Sequence, residues 1–398
     1  MQNYCNICKK KFKSYLNLGK HPCADSFLNN KNLAKKIKKY PLIVGYCNCH
    51  HLTAIHKISK HQRYNKFDYS YTSSNSPVSL EHFKNIAKNI CKNFAIKKNS
   101  KVLEIASNDG TFLYFIIKFS KAFCLGVDPS KYMCKIANKK KLKTESIYFN
   151  FNSAKKIKKK YGKFDLIYGA NVFNHVDDPI NFIMGCKKIL NINGILVIEV
   201  PDLDKLIKNI SFDTIYHEHR NYYSKQSLIK IFEKINLKII KFEDLEYMSG
   251  SLRIFVRNSN FKKFTISNKS NIQNYNSFLN FKKKVALTKK YLIKYVKNEI
   301  KKNKIIVGFG AATKGNTLIN FCKFNSKHIK FIMENSKHKI GKFTPGSAIP
   351  IVDEKKMLDF NTLIILPWNI KKYLLKKILK FKNVNHISLK DVVKKINY

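Results

Sequence analysis

Residues 102–113 read VLEIASNDGTFL: an apolar run ending near an acid, a polar loop holding Gly110, then the apolar start of a helix. Val, Leu and Ile favour a pleated strand, and strand, tight loop and helix in that order open a parallel βαβ unit. Further on, AFCLGVDPS (122–130) is a second apolar run, carrying Asp128 near its end. FDLIYGANVF (164–173) and GILVIEVP (194–201) follow, each after a helix-length segment. Apolar runs alternating with helical segments predict a parallel sheet covered on both faces. The fold class is therefore α/β.

Outward from this core the chain divides. LEHFKNIAKNICKNFAI (80–96) reads as a helix leading into the first strand, and the Tyr/Ser-rich YNKFDYSYTSSNSPVS (64–79) as a linker. Residues 1 to about 58 hold a Cys/His cluster with too little periodicity to build a core unaided. A long helical segment, roughly 268–303, leads to a second α/β unit: KIIVGFGAATKGNTLINF (304–321), HIKFIMENS (328–336) and TLIILPWNI (362–370). At 398 residues the chain exceeds one ordinary core, since single cores stop growing near about 250–300 residues. The predicted domains are a metal-binding module (1–65), a Rossmann-like domain (66–245) and a second Rossmann-like domain (246–398).

The formal charge is +52, from 77 Lys plus Arg against 25 Asp plus Glu. An excess of this size points to nucleic acid or an anionic membrane when it is gathered on one patch with interleaved aromatics. Here the lysines are spread along the chain among Asn and Ile, which speaks for a compositional bias and against both partners. Such a field still attracts anionic substrates such as phosphates. No run of 18 apolar residues appears, and the N-terminus has no signal-peptide core, so a cytoplasmic protein is expected. Its 10 Cys then read as reduced thiols or metal ligands.

CNIC supplies Cys5 and Cys8 on one knuckle, and YCNCHH (46–51) supplies Cys47, Cys49, His50 and His51. Two such pairs complete a tetrahedral structural zinc site. The second half is irregular: Cys47 and Cys49 stand as CxC, whereas Cys47 with His50 restores the common spacing. The fourth ligand is left between Cys49 and His50.

In VLEIASNDGTFL, Glu104, Ser107, Asn108 and Gly110 border a loop that lets backbone approach a nucleoside at the carboxyl ends of the strands. Asp128 is placed to accept ribose hydroxyls, and Asn171, Asn174 and His175 are placed to line the same edge. A glycine-poor loop without GxGxxG argues against NAD here and fits S-adenosylmethionine better. In the second unit Gly308, Gly310 and Gly315 approximate a phosphate-binding turn without the GK[ST] of a P-loop. A dinucleotide site, a substrate site and an unliganded Rossmann fold all remain open there.

FDTIYHEH (212–219) packs an aspartate, a tyrosine, two histidines and a glutamate into one stretch. His-Glu-His is too compressed for the two-histidine zinc motif of a helix. In an extended segment His217 and His219 face one side and Glu218 the other. A histidine beside a carboxylate suits acid/base work near neutral pH.

The order CxxC knuckle, ExxxNDG, YHEH, then GxGAxxKGNT resembles the S-adenosylmethionine-dependent C-methyltransferases of nucleotide-linked keto-deoxysugars. The resemblance extends over LGKHPCADSFL (18–28), FDYSYTSSNS (67–76), EIASNDGTFL (104–113), FDTIYHEHRNYYS (212–224), SGSLRIFV (249–256), GAATKGNTLINF (310–321) and GKFTPGSAIPI (341–351). It implies a structural zinc module, S-adenosylmethionine in the first Rossmann-like domain and nucleotide-sugar held partly by the second. His219 is then the base, with Glu218, Tyr216 and Tyr69 or Tyr71 at the substrate, and Tyr222, Lys314 and Asn316 among its ligands. A monomer is expected. Ala106 stands where this family commonly has Gly, which is tolerated if the backbone there is extended. The competing expectation is a nicotinamide-dependent dehydrogenase or epimerase working in the second unit, with Glu334 reading the ribose.

Overall fold

In a computed structural model of the chain, residues 4–396 are described except 6, 48, 50, 56–57, 65–71, 75, 259–274, 357–358 and 379–383. His50, Tyr69 and Tyr71 thus lie outside the described residues.

Strands β1 (Lys13–His21), β2 (Tyr40–Cys47) and β3 (His51–Ala54) form an antiparallel sheet. Next come β4 (Lys101–Ile105), β5 (Phe123–Asp128), β6 (Thr144–Ser146), β7 (Phe164–Ala170) and β8 (Leu190–Pro201). They are followed by β9 (Asn221–Tyr223), β10 (Leu237–Leu245) and β11 (Ser251–Asn258). The last unit holds β12 (Ile306–Phe309), β13 (Ile332–Glu334), β14 (Ile351–Asp353), β15 (Thr362–Ile365) and β16 (Asn385–Ser388).

The large sheet has the order β10-β11-β8-β7-β4-β5-β6. Its β8 to β6 portion is parallel, as the continuous apolar runs predict, and β11 and β10 add an antiparallel edge. The chain leaves β4 for β5 on one side and later returns to β7 on the other, so a topological switch point opens at the carboxyl end of β4. The third sheet, β14-β13-β12-β15-β16, is wholly parallel with a second switch point at β12.

Two pairings cross the divisions drawn from sequence. β11 lies between β8 and β10, so the large sheet runs on past residue 245 to Asn258. β9, just beyond His219, leaves the large sheet and pairs with β3: His51 opposes Tyr223 and Thr53 opposes Asn221. The FDTIYHEH stretch is thereby stitched to the N-terminal module.

The helix Pro77–Asn93 starts where Ser76 accepts the Ser79 N–H and Pro77 occupies the first turn. The expected long helix is observed as Tyr275–Lys301. Phe278, Phe281, Val285, Leu292 and Val296 bury one face of it, each large side chain contributing about 2 kcal/mol. The Tyr15 hydroxyl donates to the Phe278 carbonyl. One apolar core joins Leu42 and Val44 of the first module, Phe212 and Ile215 of the FDTIYHEH stretch, and Leu318 and Trp368 of the last unit.

Candidate active site and metal centre

The four sulfurs of Cys5, Cys8, Cys47 and Cys49 lie within 4.8 Å of one another. Cys8 and Cys47 are 3.1 Å apart and Cys5 and Cys49 3.6 Å. A tetrahedral zinc with bonds of about 2.3 Å needs sulfurs roughly 3.8 Å apart, so four thiolates already gathered at this spacing fit the ion. Among the described residues Cys49 brings the fourth sulfur to this group, while His50, the other candidate, lies outside them.

At the carboxyl ends of β4 and β5, Glu104, Asp109 and Asp128 are all buried. The connecting loop passes through left-handed residues: Ala106 (φ 57), Asn108 (φ 51) and Gly110 (φ 78). The extended backbone on which tolerance of Ala106 depended is absent, and a left-handed residue with a β-carbon costs about 1–2 kcal/mol. A Cβ on Gly110 would meet Leu142 Cδ1 at 2.5 Å, so glycine is required there. Asp128 accepts the backbone N–H groups of Asn108 (2.9 Å) and Ser130 (2.8 Å). Burial pushes its carboxyl up to about 6. Burial, then the charges of Asp109 and Asp128, push Glu104 well above the carboxylate range.

Glu104 Oε2 and Ser107 Oγ are buried with no partner, as are both amide atoms of Asn174 in the loop after β7. Orphaned polar atoms among crowded carboxylates suit a ligand bearing hydroxyls and positive charge. S-adenosylmethionine carries ribose hydroxyls, an ammonium and a sulfonium. The Ser73 N–H reaches Asn108 Oδ1 at 2.9 Å and the Ser74 hydroxyl donates to Asp109, tying the linker to this loop. Asn171 is left-handed (φ 52) and donates its N–H to the Glu199 carbonyl.

The YHEH segment is a turn, closed by the His219 N–H on the Tyr216 carbonyl at 3.0 Å. Its histidines therefore diverge instead of sharing a side. The His217 ring nitrogens lie 3.2 Å from the Pro22 carbonyl and 3.3 Å from that of Pro41, in the first module. The buried His219 places Nδ1 2.9 Å from the Thr214 carbonyl and packs against Tyr216 and His175, with ring centroids 4.0 and 4.8 Å away. Burial, aided by the Lys314 charge, holds His219 down to about 3. Burial, then Asp25, pushes Glu218 up to about 7. Tyr222, expected at the substrate, is buried and turns its hydroxyl to the His219 carbonyl at 3.3 Å.

Lys314 Nζ donates to Ser249 Oγ at 2.8 Å and lies 4.6 Å over the Trp368 ring. Trp368 Nε1 in turn donates to the buried Asp213 at 2.7 Å. Burial pulls Lys314 down to about 8, against the pull of Asp213. Asn316 donates to the Ala24 carbonyl at 2.7 Å, while its Oδ1 has no partner. Tyr216 and His217 line one narrow crevice with Asn316 and Thr317. Thr214 and Trp368 escaped the sequence reading, because a carbonyl contact and a packed side chain leave no motif, whereas Asp213 was counted in the FDTIYHEH cluster without a role.

Glu334 Oε2 accepts the Ala311 N–H at 2.7 Å and its Oε1 those of Asn335 and Ser336 at 2.9 and 3.0 Å, so it braces the turn after β12.

Three family models match consecutive stretches of the chain: a zinc binding domain at residues 5–64, a methyltransferase domain at 80–241 and a C-methyltransferase C-terminal domain at 248–386. The C-methyltransferase NovU of Streptomyces niveus is 25% identical over 378 residues, 92% of this chain and 89% of that protein. A ubiquinone biosynthesis O-methyltransferase of Pelagibacter ubique is 27% identical over 194 residues, 43% of this chain and 77% of that one. Among solved structures, an S-adenosylmethionine-dependent methyltransferase from Clostridium acetobutylicum covers 46% of this chain and 92% of its own at 14% identity and TM-score 0.36. Among the described residues no helix is long and apolar enough to cross a membrane. With all three domain types in order along one chain, and a relative matched nearly end to end, this protein belongs to the S-adenosylmethionine-dependent C-methyltransferases that carry an N-terminal zinc-binding domain.

Proposed function

We propose that the enzyme methylates the carbon beside the ketone of a nucleotide-linked keto-deoxysugar in the cytoplasm, with His219 as the base. A ketone acidifies the neighbouring C–H, and His219 Nε2 takes that proton. Tyr216, whose ring packs tilted against that of the base, donates to the developing enolate oxygen. S-adenosylmethionine, when bound, supplies an electrophilic methyl that the enolate carbon attacks in line. Glu104, Ser107, Asn108, Gly110, Asp128, Asn171, Asn174 and His175 are its assigned contacts. Glu218 belongs to the catalytic group, and Lys314 and Asn316 hold the nucleotide end of the sugar from the last unit.

The observation that carries this reading is the buried His219 with Nδ1 pinned on a backbone carbonyl. That arrangement leaves the second ring nitrogen as a proton acceptor. The test incubates the enzyme in deuterated water with keto-deoxysugar nucleotides. Deuterium should enter the carbon beside the ketone, and added S-adenosylmethionine should place a methyl there. Binding of NAD but not S-adenosylmethionine in calorimetric titrations would sink the proposal.

A further inference from the structure

We infer that Asp213 is a positioning residue for the acceptor site: its carboxylate, working through the Trp368 indole, holds the Lys314 ammonium in place. Four distant parts of the chain meet here. Asp213 comes from the FDTIYHEH stretch, Ser249 from the turn between β10 and β11, Lys314 from the helix Thr313–Phe321, and Trp368 from the turn after β15. Trp368 Nε1 donates to Asp213 Oδ2 at 2.7 Å, and both residues are buried. That bond fixes the plane of the indole. Lys314 Nζ lies over this plane, 4.6 Å from the ring centroid, and donates to Ser249 Oγ at 2.8 Å.

An ammonium over an indole face is drawn to the negative π-cloud, and the ring keeps presenting that face while its N–H is held. Asp213 holds the N–H and also attracts the Lys314 charge directly. One carboxylate thus acts twice on one cation. Ser249 closes a third side from a disfavoured backbone: it is left-handed (φ 75), between Met248 (φ 54) and Gly250 (φ 105). Left-handed residues with a β-carbon persist where the surrounding structure demands them. The same stretch reaches the catalytic histidine, because Thr214, next after Asp213, gives its carbonyl to His219 Nδ1 at 2.9 Å. A junction that only had to pack would be served by apolar side chains, since buried charges are costly and add little net stability even when paired. A carboxylate and an ammonium kept where the two Rossmann-like units meet therefore point to work on the acceptor.

The inference rests on Lys314 holding the nucleotide-sugar, and its test keeps the two claims separable. Trp368 is the single tryptophan of the chain, so tryptophan emission reports this group alone. In substrate-free enzyme, Asp213→Asn keeps an oxygen for the indole N–H and removes the charge. It should shift the emission maximum, and so should Lys314→Met. With keto-deoxysugar nucleotides, Asp213→Asn should raise KM about tenfold, the scale of one bond to a charged group, with a smaller change in kcat and unchanged S-adenosylmethionine affinity. Trp368→Phe keeps a ring under the ammonium but loses the N–H, and should raise KM in the same direction. In a Lys314→Met background either substitution should change KM by less than about twofold, because the effects of residues that act as one unit do not add.

Unmoved emission with unchanged KM in Asp213→Asn overturns the inference. So does a parallel loss of kcat and S-adenosylmethionine affinity, which marks a merely structural role. Should Asp213→Asn fail to fold, Trp368→Phe carries the same comparison, and a KM effect that persists in full in the Lys314→Met background overturns the inference as well. A raised KM in Lys314→Met beside such additive effects defeats the inference alone. An unchanged KM in Lys314→Met defeats the reading of Lys314 as a nucleotide-sugar ligand, and the inference with it.

Discussion

His219 Nδ1 lies 2.9 Å from the backbone carbonyl oxygen of Thr214. A carbonyl only accepts, so the neutral ring carries its hydrogen on Nδ1 and keeps a lone pair on Nε2. Replacing His219 by Gln should lower methyl transfer by about 10²- to 10⁴-fold, the usual contribution of a positioned base, and leave S-adenosylmethionine affinity unchanged in calorimetry. Retained turnover would remove His219 from the base role.

The pH dependence separates the two neighbours. Burial holds His219 down to about 3, so its charge does not change across the neutral range. Burial lifts Glu218 to about 7, so its charge is present above that pH and lost below it. The kcat/KM profile should bend near pH 7, and Glu218→Gln should abolish the bend. A bend that survives in this variant would assign the titration elsewhere.

Metal analysis should find zinc bound at one equivalent per chain. Cys47→Ser and Cys49→Ser should lose it, and His50→Ala should keep it. Because a structural zinc contributes folding energy to a module with a small core, and β3 of that module pairs with β9 beside the catalytic turn, metal loss should abolish turnover while the large sheet still melts cooperatively. Full metal content in Cys49→Ser would give the fourth position to another ligand.

Ala106→Gly relieves a left-handed β-carbon at φ 57. The strain of about 1–2 kcal/mol is partly offset by the greater freedom of glycine in the unfolded chain. A gain of about 1 kcal/mol is expected from chemical denaturation at unchanged slope. A loss of stability would mean that the loop gains from the methyl group.

Lys314→Met keeps the apolar stem against Trp368 and removes the ammonium bonded to Ser249. The KM for the nucleotide-sugar should rise about tenfold or more, the scale of one bond to a charged group, at constant S-adenosylmethionine affinity. An unchanged KM would leave Lys314 as a brace between domains.

Much of the fold was legible because it depends on local pattern. The apolar runs at 102–105, 123–128 and 164–170 became β4, β5 and β7, and their continuous hydrophobicity marked them as parallel and buried. Glycine at 110 announced the turn that the structure makes there with a positive φ. Ala106 was read wrongly because nothing in its neighbours reveals the hand of its backbone.

Sequence alone determined the order of the three units and the CxxC knuckle and drew attention to the polar FDTIYHEH stretch, since spacing and periodicity act over a few residues. Only the tertiary structure showed that Cys49 joins the other three sulfurs and that His217 and His219 turn to different partners. His217 is committed to Pro22, 195 positions away, and Arg63 to Asp177, 114 positions away. Such partners are chosen by how the sheets pack and which buried charges must be met, and burial and charge neutralisation are properties of the assembled chain.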